Sequence, residues 1–336
     1  MKIGSIDLKR EVLVVAEIGN NHEGNFALAQ ELVRRAAEAG AQAVKFQTIV
    51  PELLVSASET ARLEQLRRFA FSYDQFAMLA ETAARENVMF MSTPFDLKSV
   101  AALAPLVPAF KVASSDNNFM PLLEAVASVG KPVLLSTGMA SLADIRRACA
   151  VLERAWRPPG TKPALVLLHC VSSYPAPMEV ANLRAIRTLE QETGYVVGYS
   201  DHTLGIEAAV LSVALGARII EKHFTLSKNL SAFRDHQLSA EPAELAELVR
   251  RVRLADLALG DGVKRFLTEE EPVAAAARRS AVARRDLPAG HLITGDDLDW
   301  LRPAGGVPPD AAERLLGRKL QRAVAAGERI AADMVR

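Results

Sequence analysis

The sequence lacks several things that would direct it to particular partners. It has only two cysteines, Cys149 and Cys170, with no C-x-x-C spacing, so neither a disulfide framework nor a zinc knuckle is expected and both are read as reduced thiols. Net charge is absent too: 40 basic residues balance 40 acidic ones, leaving no global field to draw in nucleic acid or an anionic membrane. Any anionic ligand must therefore be gathered by a local site. Long apolar runs are missing. The opening MKIGSIDLKREVLVVAEIG sets charged residues on both sides of a short one, which fits neither a secretory signal nor a membrane span, and a cytosolic protein is expected. No Gly-rich phosphate loop and no long low-complexity segment occur.

What is present is a chain of 336 residues, half of them apolar, enough for one large core and a small second domain. Short apolar runs ending in polar residues alternate with stretches of helical periodicity, the pattern of repeated βα units. Eight strands are expected, at Val12–Ala16, Ala43–Gln47, Val88–Met91, Ala109–Ala113, Pro132–Ser136, Leu165–His169, Tyr195–Tyr199 and Arg218–Lys222. Among the helices between them, Phe26–Ala39 places Ala29, Leu32, Val33 and Ala36 on one face before Gly40. Another helix starts in a capping box at Ser141 and Asp144, and the last carries Leu245, Leu248, Val249 and Val252. The expected class is α/β, a (β/α)8 TIM barrel over residues 1–262. Residues 263–277, with Glu269 to Pro272 and an alanine run, read as a linker. Residues 278–336 read as a small β-rich domain whose 11 basic and 8 acidic residues lean too weakly positive for nucleic acid.

Active sites of such barrels lie at the C-terminal ends of the strands, and polar residues are concentrated there. Five of the six histidines, His22, His169, His202, His223 and His236, follow a strand. His202 and His223, from adjacent strands, are either hydrogen-bonded core residues or two ligands of one divalent cation with open positions, oriented by Asp201 and Glu221. Lys45 and Lys111 interrupt apolar strands. They either pair with Glu17 or Asp116 or, with the hydroxyls of Thr93, Ser114, Ser136 and Ser200, form a pocket for a phosphate and a carboxylate. Glu17 is a general acid/base candidate or a lysine partner. His22 and Glu23 are expected to cap the first helix. Cys170 is expected to be an inert buried thiol, with nothing nearby to lower its pKa.

In order along the chain stand AEIGNNHEG, AVKFQT, STPF, FKVASSD, GKPVLLSTGM, HCVSSYP, GYSDHT and EKHFT, followed by the tail RRSAVARRDLPAGHLITGDDLDWLRP. Together these resemble the N-acetylneuraminate (sialic acid) synthase family with its C-terminal antifreeze-like, or SAF, domain, over essentially the whole chain. The resemblance implies a transferase that condenses phosphoenolpyruvate with an N-acetylated amino sugar, most simply N-acetylmannosamine, with manganese or magnesium on His202 and His223. It implies phosphoenolpyruvate contacts from Lys45, Thr93, Lys111, Ser114, Ser136 and Ser200, and sugar contacts from Glu17, Gln47, Asp116, Tyr174 and Asp235. It also implies a domain-swapped homodimer in which Arg302 reaches the partner's barrel and meets the N-acetyl group. Three departures bear on the resemblance. Asp116 stands where the family commonly has glutamate, Ser172 stands where an asparagine is often found on the phosphate side, and Ser231–Gln237 replaces a PGPDH run. By the resemblance, the first and third would touch the acceptor sugar. Alternatives are a synthase for legionaminic or pseudaminic acid using a diacetamido-trideoxyhexose, a barrel aldolase with a Schiff base on Lys111, and a non-catalytic carbohydrate-binding protein.

Overall fold

The computed structural model describes residues 1–156 and 164–336, and these divide into two compact units, Met1–Gly260 and Asp261–Arg336. A short antiparallel hairpin, β1 (Lys2–Ile3) and β2 (Ile6–Asp7), opens the first unit. Eight strands follow: β3 (Leu13–Gly19), β4 (Ala43–Thr48), β5 (Met89–Pro94), β6 (Phe110–Val112), β7 (Val133–Ser136), β8 (Leu165–Cys170), β9 (Val196–Asp201) and β10 (Ile219–His223). They form one sheet of order β5-β4-β3-β10-β9-β8-β7-β6 whose ladders are all parallel. The two end strands, β5 and β6, pack against each other, so the sheet curls into a nearly closed (β/α)8 barrel.

Side chains on a strand alternate between faces, and this period builds the barrel in layers. Leu13, Val15, Ala43, Met91, Ala109, Leu134, Val166, Leu168 and Ile219 point inward as one apolar cluster, stoppered by Ile3, Ile6 and Leu8 of the hairpin. Each fully buried Leu, Ile or Val contributes on the order of 1.5–3 kcal/mol. Gly198 has no room for a side chain, because a Cβ there would lie 2.6 Å from Leu168 Cδ2 and from Ile219 O. The intervening residues, such as Val14, Val44, Phe46, Phe110, Leu135 and Ile220, face outward into the second and larger core against the helices. Two residues further along the inward face the apolar layer stops and the polar layer begins, as Leu134 gives way to Ser136 and Ile219 to Glu221.

The helices form where expected. Phe26–Glu38 buries Ala29, Leu32, Val33 and Ala36, and Gly40 follows at φ 87°. Its cap differs, however: Asn25 accepts from Leu28 N, while His22 stacks on Phe71 at 4.2 Å and Glu23 turns elsewhere. The Ser141–Asp144 box starts Leu142–Ala155, and Pro242–Leu259 buries Leu245, Leu248, Val249 and Val252. The β4–β5 connection holds three helices, Pro51–Leu54, Thr60–Phe69 and Tyr73–Arg85. Cys149 and Cys170 are free and buried. No helix among the described residues is long and apolar enough to cross a membrane.

In the second unit the segment read as a linker is helical, at Thr268–Glu270 and Glu271–Ala277, since glutamates at a helix start and an alanine run favour that state. Beyond it β11 (Ser280–Ala283) and β12 (Leu298–Leu301) pair antiparallel, and single bridges such as Leu287–Val324 complete a compact β-rich fold. Its core includes Ala281, Leu287, Ile293, Leu298, Leu315 and Ile330. Arg302 is exposed on this unit.

Candidate active site

The polar layer at the C-terminal end of the barrel is a lattice of charges. Lys45 Nζ lies 2.8 Å from Glu17 Oε2 and 3.5 Å from Glu221 Oε2, ion pairs without hydrogen-bond alignment at the carboxylate oxygens. Lys111 Nζ is 3.7 Å from Glu221 Oε1, which also accepts from Ser200 Oγ at 2.9 Å. Lys45 further donates to Thr93 Oγ1 at 3.3 Å, and Lys111 to Val112 O at 3.3 Å. All four charged residues are buried. They line a chamber of about 60 Å³ together with Thr93, Ser114, Ser136, Cys170, Ser200, His202 and His223.

Burial pushes both carboxyls up, and their neighbours drive the two apart. At Glu17 desolvation raises the pKa, and although Lys45 opposes it, the neighbouring Glu221 charge adds to the rise. At Glu221 desolvation also works upward, but Lys111, Lys45 and the Ser200 hydroxyl overcome it and hold the group at about 2. Glu221 is thus a fixed anion, whereas Glu17 is disposed to exchange a proton, a division typical of acid/base pairs. Desolvation lowers Lys111, and at Lys45 it is overcome by Glu17 and Glu221.

Above this layer the rings of His202 and His223 have centroids 5.5 Å apart. His202 Nδ1 lies 2.9 Å from Val171 O, and because a carbonyl only accepts, Nδ1 carries the hydrogen; in the neutral ring the lone pair is then on Nε2. Burial pushes the pKa of this ring down, but Cys170, Val171 O and Glu221 overcome that push and raise it. His223 Nδ1 is buried without a hydrogen-bond partner, and desolvation, reinforced by His202 and Lys45, pushes this ring's pKa well below the usual value. Asp201 and Glu221 do not orient these rings, contrary to expectation. Asp201 accepts from Lys222 Nζ at 2.9 Å and from Thr203, behind the sheet, and Glu221 is taken by the lysines. Cys170 also departs from expectation. Burial raises its pKa, but Sγ lies 3.6 Å from His202 Nδ1 and from Ser114 Oγ, and these contacts bring it below the ordinary thiol value.

The chamber opens outward into a cavity of about 1270 Å³. Gln47 bridges the two, donating to Glu17 Oε1 at 3.1 Å and accepting from Asn20 at 2.9 Å. Tyr174 lies against His202 at 4.2 Å with the Arg234 guanidinium 4.9 Å over its ring. Phe69, Phe95, Met139 and Phe233 give the cavity an apolar part in a lining that is otherwise largely polar, with Glu23, Arg62, Arg68, Arg234 and Asp235 among it.

A model of the NeuB family matches residues 32–264, and a model of the SAF domain matches residues 278–336. The chain belongs to the NeuB family. The N,N'-diacetyllegionaminic acid synthase of Legionella pneumophila is 39% identical over 94% of this chain and 92% of its own length. The N-acetylneuraminate-9-phosphate synthase of Mus musculus is 35% identical, over 93% of this chain and 89% of its own. Among solved structures, the N-acetylneuraminic acid (sialic acid) synthetase of Leptospira borgpetersenii, crystallised with citrate, superposes with a TM-score of 0.76. It is 36% identical and covers 81% of this chain and 94% of that one. The chain is therefore an enzyme, a synthase of the sialic or nonulosonic acid type.

In this NeuB-family barrel Glu17, Lys45, Thr93, Lys111, Ser114, Ser136, Ser200, His202 and His223 converge on the inner chamber, and Gln47 and Tyr174 border both spaces. Asp235 lines only the outer cavity. Asp116 accepts from its neighbour Ser115 at 2.9 Å, and it does not pair with Lys111, whose partner is Glu221. Ser172, one of the departures, holds a buried hydroxyl with no partner at the cavity wall. Glu221 was underestimated by sequence reasoning. Its place two residues before His223 on the same face of β10 puts it in the lysine layer, and strand periodicity alone carries that signal.

Proposed function

We propose that the enzyme condenses phosphoenolpyruvate with the open-chain aldehyde of an N-acetylated amino sugar, giving a nonulosonic acid and phosphate. The observation that carries this reading is the meeting of two sets of groups in one mouth. Two buried lysines and a ring of hydroxyls suited to a phosphate and a carboxylate lie beside a pair of imidazoles. An incoming anion would draw Lys45 and Lys111 from Glu17 and Glu221, with Thr93, Ser114, Ser136 and Ser200 donating around it. The new bond forms between C3 of phosphoenolpyruvate and the aldehyde carbon, water adds at C2, and the C2–O bond to phosphate breaks as the new C2 hydroxyl becomes the ketone and gives up its proton to the departing phosphate. Glu17, with its raised pKa, is placed to take the water's proton and return it to the former aldehyde oxygen.

His202 and His223 fit a divalent cation such as manganese or magnesium. The first presents Nε2 because Val171 holds Nδ1–H, and the second is kept neutral by burial. Among the described residues no set of three or more His, Cys, Asp or Glu is arranged to hold a metal ion, so the two imidazoles alone would be its ligands of these types. When bound it supplies Lewis acidity toward the aldehyde oxygen. The remaining chemistry belongs to the side chains: the lysines hold the anion and Gln47 aligns Glu17.

N-acetylmannosamine, leading to N-acetylneuraminate, is the simplest acceptor. A second reading, a diacetamido-trideoxyhexose leading to a legionaminic-type acid, is favoured by the apolar wall of Phe69, Phe95, Met139 and Phe233, which suits acetamido and deoxy groups better than hydroxyls. It is also favoured by the higher identity to the Legionella relative than to the mouse one. As part of the same proposal, the enzyme acts as a homodimer in which Arg302 of the partner subunit completes the sugar site, as the family resemblance implies. Phosphate release from phosphoenolpyruvate, assayed over a panel of both acceptor types with and without chelator, tests the reading. Release with no acceptor of either type, or release indifferent to chelator, overturns it.

A further inference from the structure

Glu23 occupies a backbone conformation that glycine or asparagine would hold more easily, at φ 46° in the turn after β3. Its carboxylate accounts for its being there. Oε1 accepts from Ser231 Oγ at 2.6 Å and from His236 Nε2 at 3.0 Å, across more than two hundred residues of sequence. His236 is wholly buried, and its other ring nitrogen meets Thr225 Oγ1 at 2.7 Å. Ser231 Oγ in turn accepts from Phe233 N at 3.0 Å. The ends of this connection are tied separately, by Asn21 Nδ2 to Phe224 O and Ser239 Oγ and by Thr225 N to Ala240 O. Between those ties the stretch after β10 has no regular structure until Asp235–Leu238, and Glu23 is its mid-point anchor. That stretch carries Phe233, Arg234 and Asp235, one whole wall of the outer cavity. Phe233 packs edge-on to Phe69 at 5.3 Å only while the stretch keeps this path.

We propose that Glu23 is a positioning residue for the acceptor sugar: through Ser231 and His236 it holds the 231–236 segment as a wall of the sugar chamber. It takes no part in the inner chamber, whose lining does not include it, and it borders the outer cavity beside Ser231. The proposal rests on the condensation reading above, which makes this cavity the acceptor's. Glu23→Gly is the informative variant, because glycine adopts the observed φ without strain and the fold is spared while the carboxylate is lost. Glu23→Gln keeps an oxygen able to accept both hydrogen bonds.

Two measurements on the full-length protein separate position from contact. In Glu23→Gly, amide hydrogen exchange over residues 229–238 of the ligand-free protein rises about tenfold or more. In the same variant KM for the acceptor rises about tenfold, while KM for phosphoenolpyruvate and kcat stay within about twofold. Glu23→Gln stays within about threefold of the wild type in both. Unchanged exchange in Glu23→Gly overturns the proposal, including when acceptor KM rises, since that pair of results marks direct contact. Faster exchange with unchanged acceptor KM also overturns it, since the segment would then not be the sugar's wall. A wild-type enzyme that condenses no acceptor overturns the condensation reading instead, and the exchange arm still judges the anchor.

Discussion

In the inner chamber the charged side chains come from strands: Glu17 from β3, Lys45 from β4, Lys111 from β6 and Glu221 from β10, none more than 6% exposed. In the outer cavity the walls come from connections, and exposure is uneven: the Arg234 side chain is 67% exposed, and Asp235 beside it 13%. A strand-borne charge is located by ladder hydrogen bonds on both sides and has no water to fall back on, so each must find a partner in the barrel. A connection-borne side chain is held by a few side-chain bonds and keeps water as an alternative partner. The inner layer thus suits a chemical step that tolerates little displacement, and the outer wall suits discrimination between acceptors that differ in a few polar groups.

If this contrast holds, substitutions below should cost turnover and those above should cost acceptor affinity. The largest loss is expected from the double variant His202→Ala, His223→Ala, which should release no detectable phosphate at saturating substrates. Full activity would remove the metal assignment. Glu17→Gln should lower kcat by about 10²–10⁴ with KM for both substrates little changed. Because burial and the Glu221 charge raise the Glu17 pKa, the ionised base is lost as pH falls through a value above the ordinary carboxylate range. Wild-type kcat should fall on that acid side, and a persistent limb in Glu17→Gln would assign it to another group. Lys111→Met should cut kcat/KM for phosphoenolpyruvate by about 10²–10³. The smallest effect belongs to Phe233→Ala, which should raise acceptor KM about tenfold, more for a diacetamido-trideoxyhexose than for N-acetylmannosamine, and leave phosphoenolpyruvate kinetics alone. A Phe233→Ala effect mainly on kcat would break the comparison.

Much of the barrel was legible because its signals are local. All eight strands lie within a few residues of where apolar runs placed them, although β3 extends to Gly19 and so takes Glu17 inside the strand. The buried stripe Ala29, Leu32, Val33 and Ala36 follows from a period of 3.6. The convergence of lysines, hydroxyls and histidines was legible for the same reason, since strand ends in this fold share one rim. Partner choice was not. Asp201 faces Lys222 behind the sheet because adjacent residues on a strand point oppositely, so standing next to His202 in sequence kept it from His202 in space. Glu23 read as a helix cap because it stands just before the first helix, but Asn25 is the cap and the Glu23 carboxylate accepts from the distant Ser231. The stretch 263–277 read as a linker from its composition, yet it is helical from Thr268.

By itself the sequence determined the number and order of strands, the apolar faces and the side chains available at the barrel mouth, because periodicity and turn chemistry act over a few residues. Only the tertiary structure decided that Lys45 and Lys111 share Glu221, that Val171 sets the free nitrogen of His202, and that Glu23 anchors the wall after β10. Hydrogen bonds and ion pairs are satisfied by whichever group closure of the barrel brings within about 3 Å, and that distance is fixed by the whole fold rather than by any one segment.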